Sequence, residues 1–239
     1  MNELLNKTLS QIVTENYQAA RVFEKYGLDF CCKGKRPLKE ACVEKQIGED
    51  SLLLELQDVL TARNTAFDFN NMSLIELSEY IVRVHHSYCK TNMPVILGYA
   101  MRVATRHGSN FPYMIEVYDL FAGLKEEMDH HMLKEEKILF PRIKQMEMAE
   151  PSQQGIEFLQ APIDVMEEEH DRAGYIMHRV RKLTGNYTPH PEACTTHRLL
   201  IDSLKAFEED LHQHVHLENN ILFPKALDRF KSIHVSSSN

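Results

Sequence analysis

The sequence predicts an all-α protein, in which an up-down-up-down four-helix bundle follows a small helical domain at the N-terminus. Three observations support this fold class. The 239 residues are 43% hydrophobic and include only nine Gly and no Trp. Four long segments with helical spacing of apolar residues are separated by short stretches rich in Gly, Pro and Asn. The chain after residue 73 also contains an internal repeat of hairpin size, which is typical of a bundle built from two helix pairs.

The N-terminal domain is predicted to span residues 1–63 and to be too small for a very stable core of its own. Gly27 is a suitable C-terminal stop for the first helix, and Pro37 is suited to the start of the second. The predicted elements are a helix over 8–26, a loop over 28–36, a helix over 37–45 and a helix over 50–63.

A linker is predicted over residues 64–72, and the bundle domain is predicted over residues 73–232. Ser73 and Glu76 form a capping-box pattern that starts the first long helix. Pro94 is expected to kink or interrupt that helix. The four long helices are predicted over 73–106, 112–147, 157–184 and 194–230.

The repeated motif is H-x3-E-x2-I-L-F-P, which occurs at residues 131–141 and again at 214–224. Positions i and i+4 share one face of a helix. His131 with Glu135, and His214 with Glu218, can therefore each direct a nitrogen and an oxygen to one point. The apolar residues after each pair can pack the same helix into a core.

Each motif is preceded by a matching histidine: His86 lies 45 residues before His131, and His170 lies 44 residues before His214. Imidazoles and carboxylates together suit iron, manganese or zinc. Each ionised glutamate inside a bundle would lose roughly several kcal/mol of solvation free energy, as any unpaired buried charge does. A bound cation would offset this loss. The predicted ligands of two metal ions, with the glutamates as bridges, are His86, His131, Glu135, His170, His214 and Glu218.

Three alternatives remain open from the residues alone. The pairs could be ordinary His–Glu pairs on helix surfaces, although the shared Ile-Leu-Phe-Pro tail argues against coincidence. His85 competes with His86, and His130 competes with His131. An E-x-x-H register, as in carboxylate-bridged di-iron oxidases, is also present at Glu127/His130, Glu167/His170 and Glu209/His212.

A second candidate site is the pair Cys31 and Cys32 in the N-terminal domain. Lys33, Lys35 and Arg36 flank the pair. Positive charge and a helix N-terminus both favour the thiolate, so these thiols are candidates for reaction or metal contact. The alternative is that one cysteine is buried and the other has no role.

Composition excludes several classes of protein. A net charge of −8 argues against a nucleic-acid surface. The sequence has neither an apolar run of membrane-spanning length nor the hydrophobic region of a signal peptide, so a cytoplasmic location without membrane contact is expected. The five cysteines are odd in number and argue against a disulfide framework.

Six sequence segments together resemble the di-iron iron-sulfur cluster repair family, also called the repair of iron centres or YtfE/ScdA family, over nearly the whole chain. They are YGLDFCCKG (26–34), HHSY (85–88), HMLKEEKILFP (131–141), MEEEHD (166–171), PEACTT (191–196) and LENNILFP (217–224). The resemblance implies a hemerythrin-like bundle with two non-haem iron ions, bridged by oxo and carboxylate groups. It maps the ligands onto the six residues named above, favours His86 over His85, and places Glu127 and Glu169 near the irons.

The resemblance also implies a function. The expected function is repair of clusters damaged by nitrosative or oxidative stress, by supply of iron, with Cys31 and Cys32 as relay thiols. The alternatives are binding or reduction of nitric oxide at the di-iron centre, and a dioxygen carrier or sensor. The expected partners are damaged iron-sulfur proteins or a cluster-assembly scaffold, and a second copy of the chain in a homodimer. The expected role is that of an iron donor rather than a typical enzyme.

Overall fold

The computed structural model describes residues 2–31, 33–61, 68–148 and 159–235, and α-helices joined by turns dominate these residues. The predicted all-α class and helical bundle are confirmed. Cys32 and residues 64–67 of the predicted linker lie outside the described residues.

Among the described residues, the N-terminal domain contains five helices where the sequence predicts three. The expected helix over 8–26 is two helices, because the Asn16 side chain accepts a hydrogen bond from the Gln18 amide and turns the chain between them. Thr8 begins the first of the two with a capping box that includes Gln11. The helices are α1 (Asn2–Asn6), α2 (Leu9–Glu15), α3 (Ala19–Tyr26), α4 (Leu38–Lys45) and α5 (Glu49–Thr61).

The four predicted bundle helices are present, and three of them contain a π-helical turn. The first bundle helix consists of α6 (Leu74–Ile81), a π turn (Val82–His86) and α7 (Ser87–His107). The second consists of α8 (Tyr113–Lys134), a π turn (Glu135–Leu139) and α9 (Phe140–Glu147). The third is α10 (Gln160–Leu183), and the fourth consists of α11 (Thr195–Leu217), a π turn (Glu218–Leu222) and α12 (Phe223–Val235).

The bundle helices pack in a closed ring. The first lies against the second and the fourth, and the third lies against the same two. This adjacency is that of an up-down-up-down bundle. Pro94 lies inside α7, which continues through it, so the helix is not interrupted there.

The π turns coincide with predicted ligands. His86 ends the first π turn, while Glu135 and Glu218 begin the other two. Prolines follow closely, at Pro141 and Pro224, and they have no amide N–H to donate to the preceding α-helical turn. Hydrogen bonds over five residues, such as Phe140 N–H to the Glu135 carbonyl, replace the α-helical pattern here. Each π turn contains one residue more than an α-helical turn, so the side chains after it lie on a different face of the helix.

The N-terminal helices pack on the fourth bundle helix. Tyr17 donates a hydrogen bond from its hydroxyl to Gln213 Oε1 at 2.6 Å, and His212 Nδ1 lies 2.6 Å from Glu24 Oε1. The Phe30 ring is fully buried against the rings of His212 and His216. One apolar cluster runs from the N-terminal helices into the bundle. The loop that carries Cys31 is therefore positioned by the bundle.

Candidate metal centre

The bundle contains a polar layer between two apolar clusters. On the first bundle helix, for example, Ile81 belongs to one cluster and Cys89 to the other, and His86 lies between them. The six predicted ligands are each at most 1% exposed, and all of them lie in this layer. The chain thus brings together the full set of side chains that the repeat predicted.

The donor atoms form two groups that share both glutamates. We call the group of His86, His214, Glu135 and Glu218 site A, and the group of His131, His170, Glu135 and Glu218 site B. Within each group the ligand atoms lie within 4.8 Å of one another. This spacing permits every member of a group to contact a single ion.

Each carboxylate offers one oxygen to each site. Glu135 places Oε2 3.3 Å from His86 Nε2 and Oε1 3.3 Å from His131 Nε2. Glu218 places Oε1 3.1 Å from His214 Nε2 and Oε2 3.1 Å from His170 Nε2. The i,i+4 spacing in each repeat brings its own His and Glu together, and the neighbouring helices supply the second histidine.

The centre has the unpaired polar atoms that a cation would satisfy. Both carboxylate oxygens of Glu135, Oε2 of Glu218 and Nε2 of His86 are buried without a hydrogen-bond partner among the described residues. The contacts of Glu135 with the imidazoles have the distance of an ion pair but not the geometry of a hydrogen bond. Unpaired buried charge is costly, so a metal ion fits this donor set.

The electrostatics of the centre keep its glutamates ionised despite burial. Burial lowers the pKa of His131, but the charge of Glu135 and the hydrogen bond to Glu169 outweigh it and raise that pKa to about 10. Burial raises the pKa of Glu218, but His214 and His170 outweigh it and hold that pKa well below its usual range. The carboxylates are therefore ionised at neutral pH and available as ligands.

Three of the four imidazoles are held from behind by a hydrogen bond at Nδ1. The partners are Glu136 Oε1 at 2.8 Å for His86, Glu169 Oε2 at 2.8 Å for His131, and Asn219 Oδ1 at 2.7 Å for His170. Such partners fix the ring orientation, so that Nε2 points to the centre. The residue-level predictions missed Glu136 and Asn219, although both follow the repeated glutamate directly and a comparison of the two repeats could have found them.

The histidines that competed with the predicted ligands belong to neither group of donor atoms. The His85 ring is also buried, but its Nδ1 lies 3.0 Å from Asp210 Oδ1, whereas Nε2 of His86 faces Glu135. His130 and Glu127 are both exposed, so the E-x-x-H register on the second helix is not directed to the centre. Glu169, by contrast, contacts His131 directly.

Cys31 is 4% exposed and lies against the fourth bundle helix. Its carbonyl accepts a hydrogen bond from Asn220 Nδ2 at 3.5 Å, close to Glu218 in the sequence. Its thiol donates to Asp29 Oδ1 at 3.3 Å.

Within the described ranges, none of the helices is both long and apolar enough to cross a membrane.

Two family models match the chain. The ScdA_N model, described as a domain of unknown function, matches residues 5–60, and the hemerythrin HHE cation-binding domain matches residues 78–226. This chain is also 33% identical over 222 residues to each of three curated proteins named iron-sulfur cluster repair protein YtfE. They come from Escherichia coli O81 (strain ED1a), Escherichia fergusonii and Escherichia coli O127:H6. These alignments cover 93% of this chain and 97% of each relative.

Proposed function

Because this chain belongs to the iron-sulfur cluster repair family and contains a hemerythrin HHE cation-binding domain, we propose that it repairs damaged iron-sulfur clusters by supplying iron from a di-iron centre in its bundle. The residues that hold the iron are His86, His131, Glu135, His170, His214 and Glu218. Glu135 and Glu218 bridge the two positions.

The observation that carries this proposal is the sharing of both carboxylates between two groups of imidazoles. Each glutamate presents one oxygen to site A and one to site B. An isolated His–Glu pair would have no need of a second imidazole on the other oxygen. Nitrogen and carboxylate donors in this ratio suit iron, and the family favours iron over manganese or zinc.

The donor count explains why the iron could be given up. Six side chains shared between two ions leave each ion with fewer protein donors than an octahedral site accepts. When bound, iron is the cargo that the centre delivers to a damaged cluster. The protein residues hold this cargo, exclude bulk water from it through the flanking apolar clusters, and orient the imidazoles through Glu136, Glu169 and Asn219.

The N-terminal domain, residues 1–63, would serve the transfer from the bundle domain, residues 73–232. The Asn220 contact places the Cys31 backbone next to the fourth bundle helix, close in sequence to Glu218. In this proposal Cys31 and Cys32 relay iron to the client or recognise it. Undocking of the loop would expose Cys31 and free its thiol from Asp29.

The test is reconstitution of a client without added iron. The iron-loaded protein is incubated anaerobically with an apo-ferredoxin, sulfide and a thiol reductant, and cluster absorbance is followed. Cluster formation is the expected result, and failure to form clusters from loaded protein would reject iron supply. Single-turnover conversion of nitric oxide to nitrous oxide would instead favour a reductase, and a stable reversible oxygen adduct would favour a carrier.

Neighbouring residues provide matched controls. His131→Ala is expected to remove bound iron, whereas His130→Ala, at an exposed position, should leave the iron content unchanged. Cys31→Ala with Cys32→Ala should slow repair at constant iron content, and the exposed Cys194→Ala should not. If the cysteine pair can be replaced with no loss of repair, its relay role is wrong.

The same proposal includes a cytoplasmic homodimer, which the family resemblance supports. Light scattering of the purified protein measures the oligomeric state directly, and a monomer at working concentration would remove the dimer from the proposal.

A further inference from the structure

We propose that the two metal positions are unequal, and that site A, which His86 and His214 serve, releases its iron first. This inference rests on the proposed function and deepens it, because it names the position from which iron is supplied. The inference follows from the hydrogen bonds that the ligand imidazoles make at Nδ1, and not from the identity of the ligands.

The two sequence repeats make the outer shell directly comparable. His86 corresponds to His170, and His131 corresponds to His214. The residue after each bridging glutamate, Glu136 in one copy and Asn219 in the other, bonds the first-helix imidazole of its pair. These two contacts are equivalent by position.

The other pair of contacts is not equivalent. Glu169, directly before His170, accepts a hydrogen bond from Nδ1 of His131 at 2.8 Å. The corresponding residue in the other copy, directly before His86, is His85. Nδ1 of His214 is buried and has no hydrogen-bond partner among the described residues. One imidazole of site A therefore lacks the partner that its counterpart in site B has.

The geometry explains why His85 does not replace the missing acceptor. Its ring stacks on the ring of His214 with centroids 5.5 Å apart and only 5° between the planes. Ring N–H groups and lone pairs lie in the ring plane, so two stacked rings do not bond to each other, and Nε2 of His85 and Nδ1 of His214 both lack a hydrogen-bond partner among the described residues. Asp210 also holds Nδ1 of His85 at 3.0 Å and keeps the ring in this orientation.

The consequence is a difference in affinity. An acceptor behind a metal-bound imidazole raises its basicity and fixes its orientation, and loss of such a partner typically lowers metal affinity about 10- to 100-fold. Site A has one carboxylate partner at His86 and none at His214. Site B has a carboxylate at His131 and an amide at His170. The iron affinity of site A should therefore be lower than that of site B by about the effect of one such hydrogen bond.

The experiment follows release of iron from the full-length protein to an excess of a coloured ferrous chelator under anaerobic conditions. Wild-type protein loaded with two Fe²⁺ should release them in two phases of equal amplitude, with the fast phase about 10-fold or more above the slow one. His85→Glu places a carboxylate where the other repeat has Glu169. It should slow the fast phase about 10-fold and leave the slow phase unchanged.

Two further variants control this result. His85→Ala removes the ring without adding an acceptor, so the fast phase should remain fast. Asn219→Leu removes the partner of His170 in site B, so the slow phase should become faster, while the fast phase keeps its rate. The Asn219 variant also keeps the proposal testable if His85→Glu fails to load two irons.

Single-phase release of both irons from wild-type protein would overturn the inference. An effect of His85→Glu on the slow phase alone, or of Asn219→Leu on the fast phase alone, would also overturn it. None of these readouts uses a client protein. Failure of client reconstitution with two-phase release intact would reject the proposed function alone.

Discussion

The contact between Glu24 and His212 should control access to Cys31. Glu24 lies on α3 and His212 on α11, with Oε1 and Nδ1 2.6 Å apart and side chains only 13% and 12% exposed. Glu24→Ala removes the acceptor and leaves a largely buried imidazole without it. A hydrogen bond to a charged group contributes about 1.5–3 kcal/mol.

This free energy sets the size of the expected effect. If the contact exists only in the docked state, its loss shifts the docking equilibrium by about 10- to 150-fold, since 1.4 kcal/mol is tenfold. Cys31 is 4% exposed when the loop is docked. Its alkylation should follow the population of the undocked state when docking is faster than the chemical step. The rate should therefore rise by up to the same factor.

The assay is alkylation with a small maleimide in the native state, resolved to Cys31 by peptide mass spectrometry. The matched control is Glu55→Ala, because Glu55 bonds Lys25 and Tyr26 within the N-terminal domain. Iron content should be unchanged in both variants. Equal alkylation of Cys31 in Glu24→Ala and wild-type protein, or equal acceleration in Glu55→Ala, would refute the reasoning.

Three further predictions concern stability. Removal of iron by a chelator should lower the melting temperature by roughly 5–10 °C in calorimetry. A ligand at 100 times its Kd raises the free energy of unfolding by about 2.7 kcal/mol, and each kcal/mol shifts the melting temperature of a domain of this size by about 2–4 °C. An unchanged melting temperature would show that iron does not bind the folded bundle. Glu147→Ala should destabilise the protein by about 1–3 kcal/mol in urea titration, because the Glu147 carboxylate accepts hydrogen bonds from the Leu74 and Ile75 amides at 2.9 and 2.8 Å. The control, Glu79→Ala, removes an exposed ion pair with Lys144 and should have little effect. Phe207→Ala should cost about 3–5 kcal/mol in the same titration, because the ring is fully buried against Phe121. A loss below about 1 kcal/mol, closer to the effect of a surface substitution, would contradict this packing.

The sequence can identify residues that recur at a regular spacing, because such spacing indicates a helix or a pair of ligands on one helix face. The i,i+4 pairs and the Ile-Leu-Phe-Pro tails predict the two helices that carry both a histidine and a glutamate, and apolar periodicity predicts all four bundle helices. The π turns left no such signal, because they depend on hydrogen bonds over five residues that compete closely with the α-helical pattern. The break at Asn16 depends on a local side-chain hydrogen bond, which periodicity does not reveal.

Contacts between distant elements were also beyond the sequence. The choice of His86 over His85 needed the family resemblance, since neighbouring histidines have the same chemistry and differ only in the helix face they occupy. In the structure a π turn ends at this position, and the two rings point to different surroundings. The docking of Phe30 on His212 and His216 joins residues far apart in the chain, for which neither segment carries a pattern.

Comparison of the two repeats separates what binding requires from what can vary. The inner donors are the same in both copies, a histidine on one helix and a histidine with a glutamate on the next, as the proposed pair of ions with two shared carboxylates requires. The outer partners differ: Glu136 is matched by Asn219, and Glu169 by His85. A change in the outer shell leaves every ligand in place and still alters the basicity of one imidazole. In the proposed centre, iron release can therefore be adjusted at one position while the capacity for two ions is retained, and a substitution at residue 85 measures the size of this adjustment most directly.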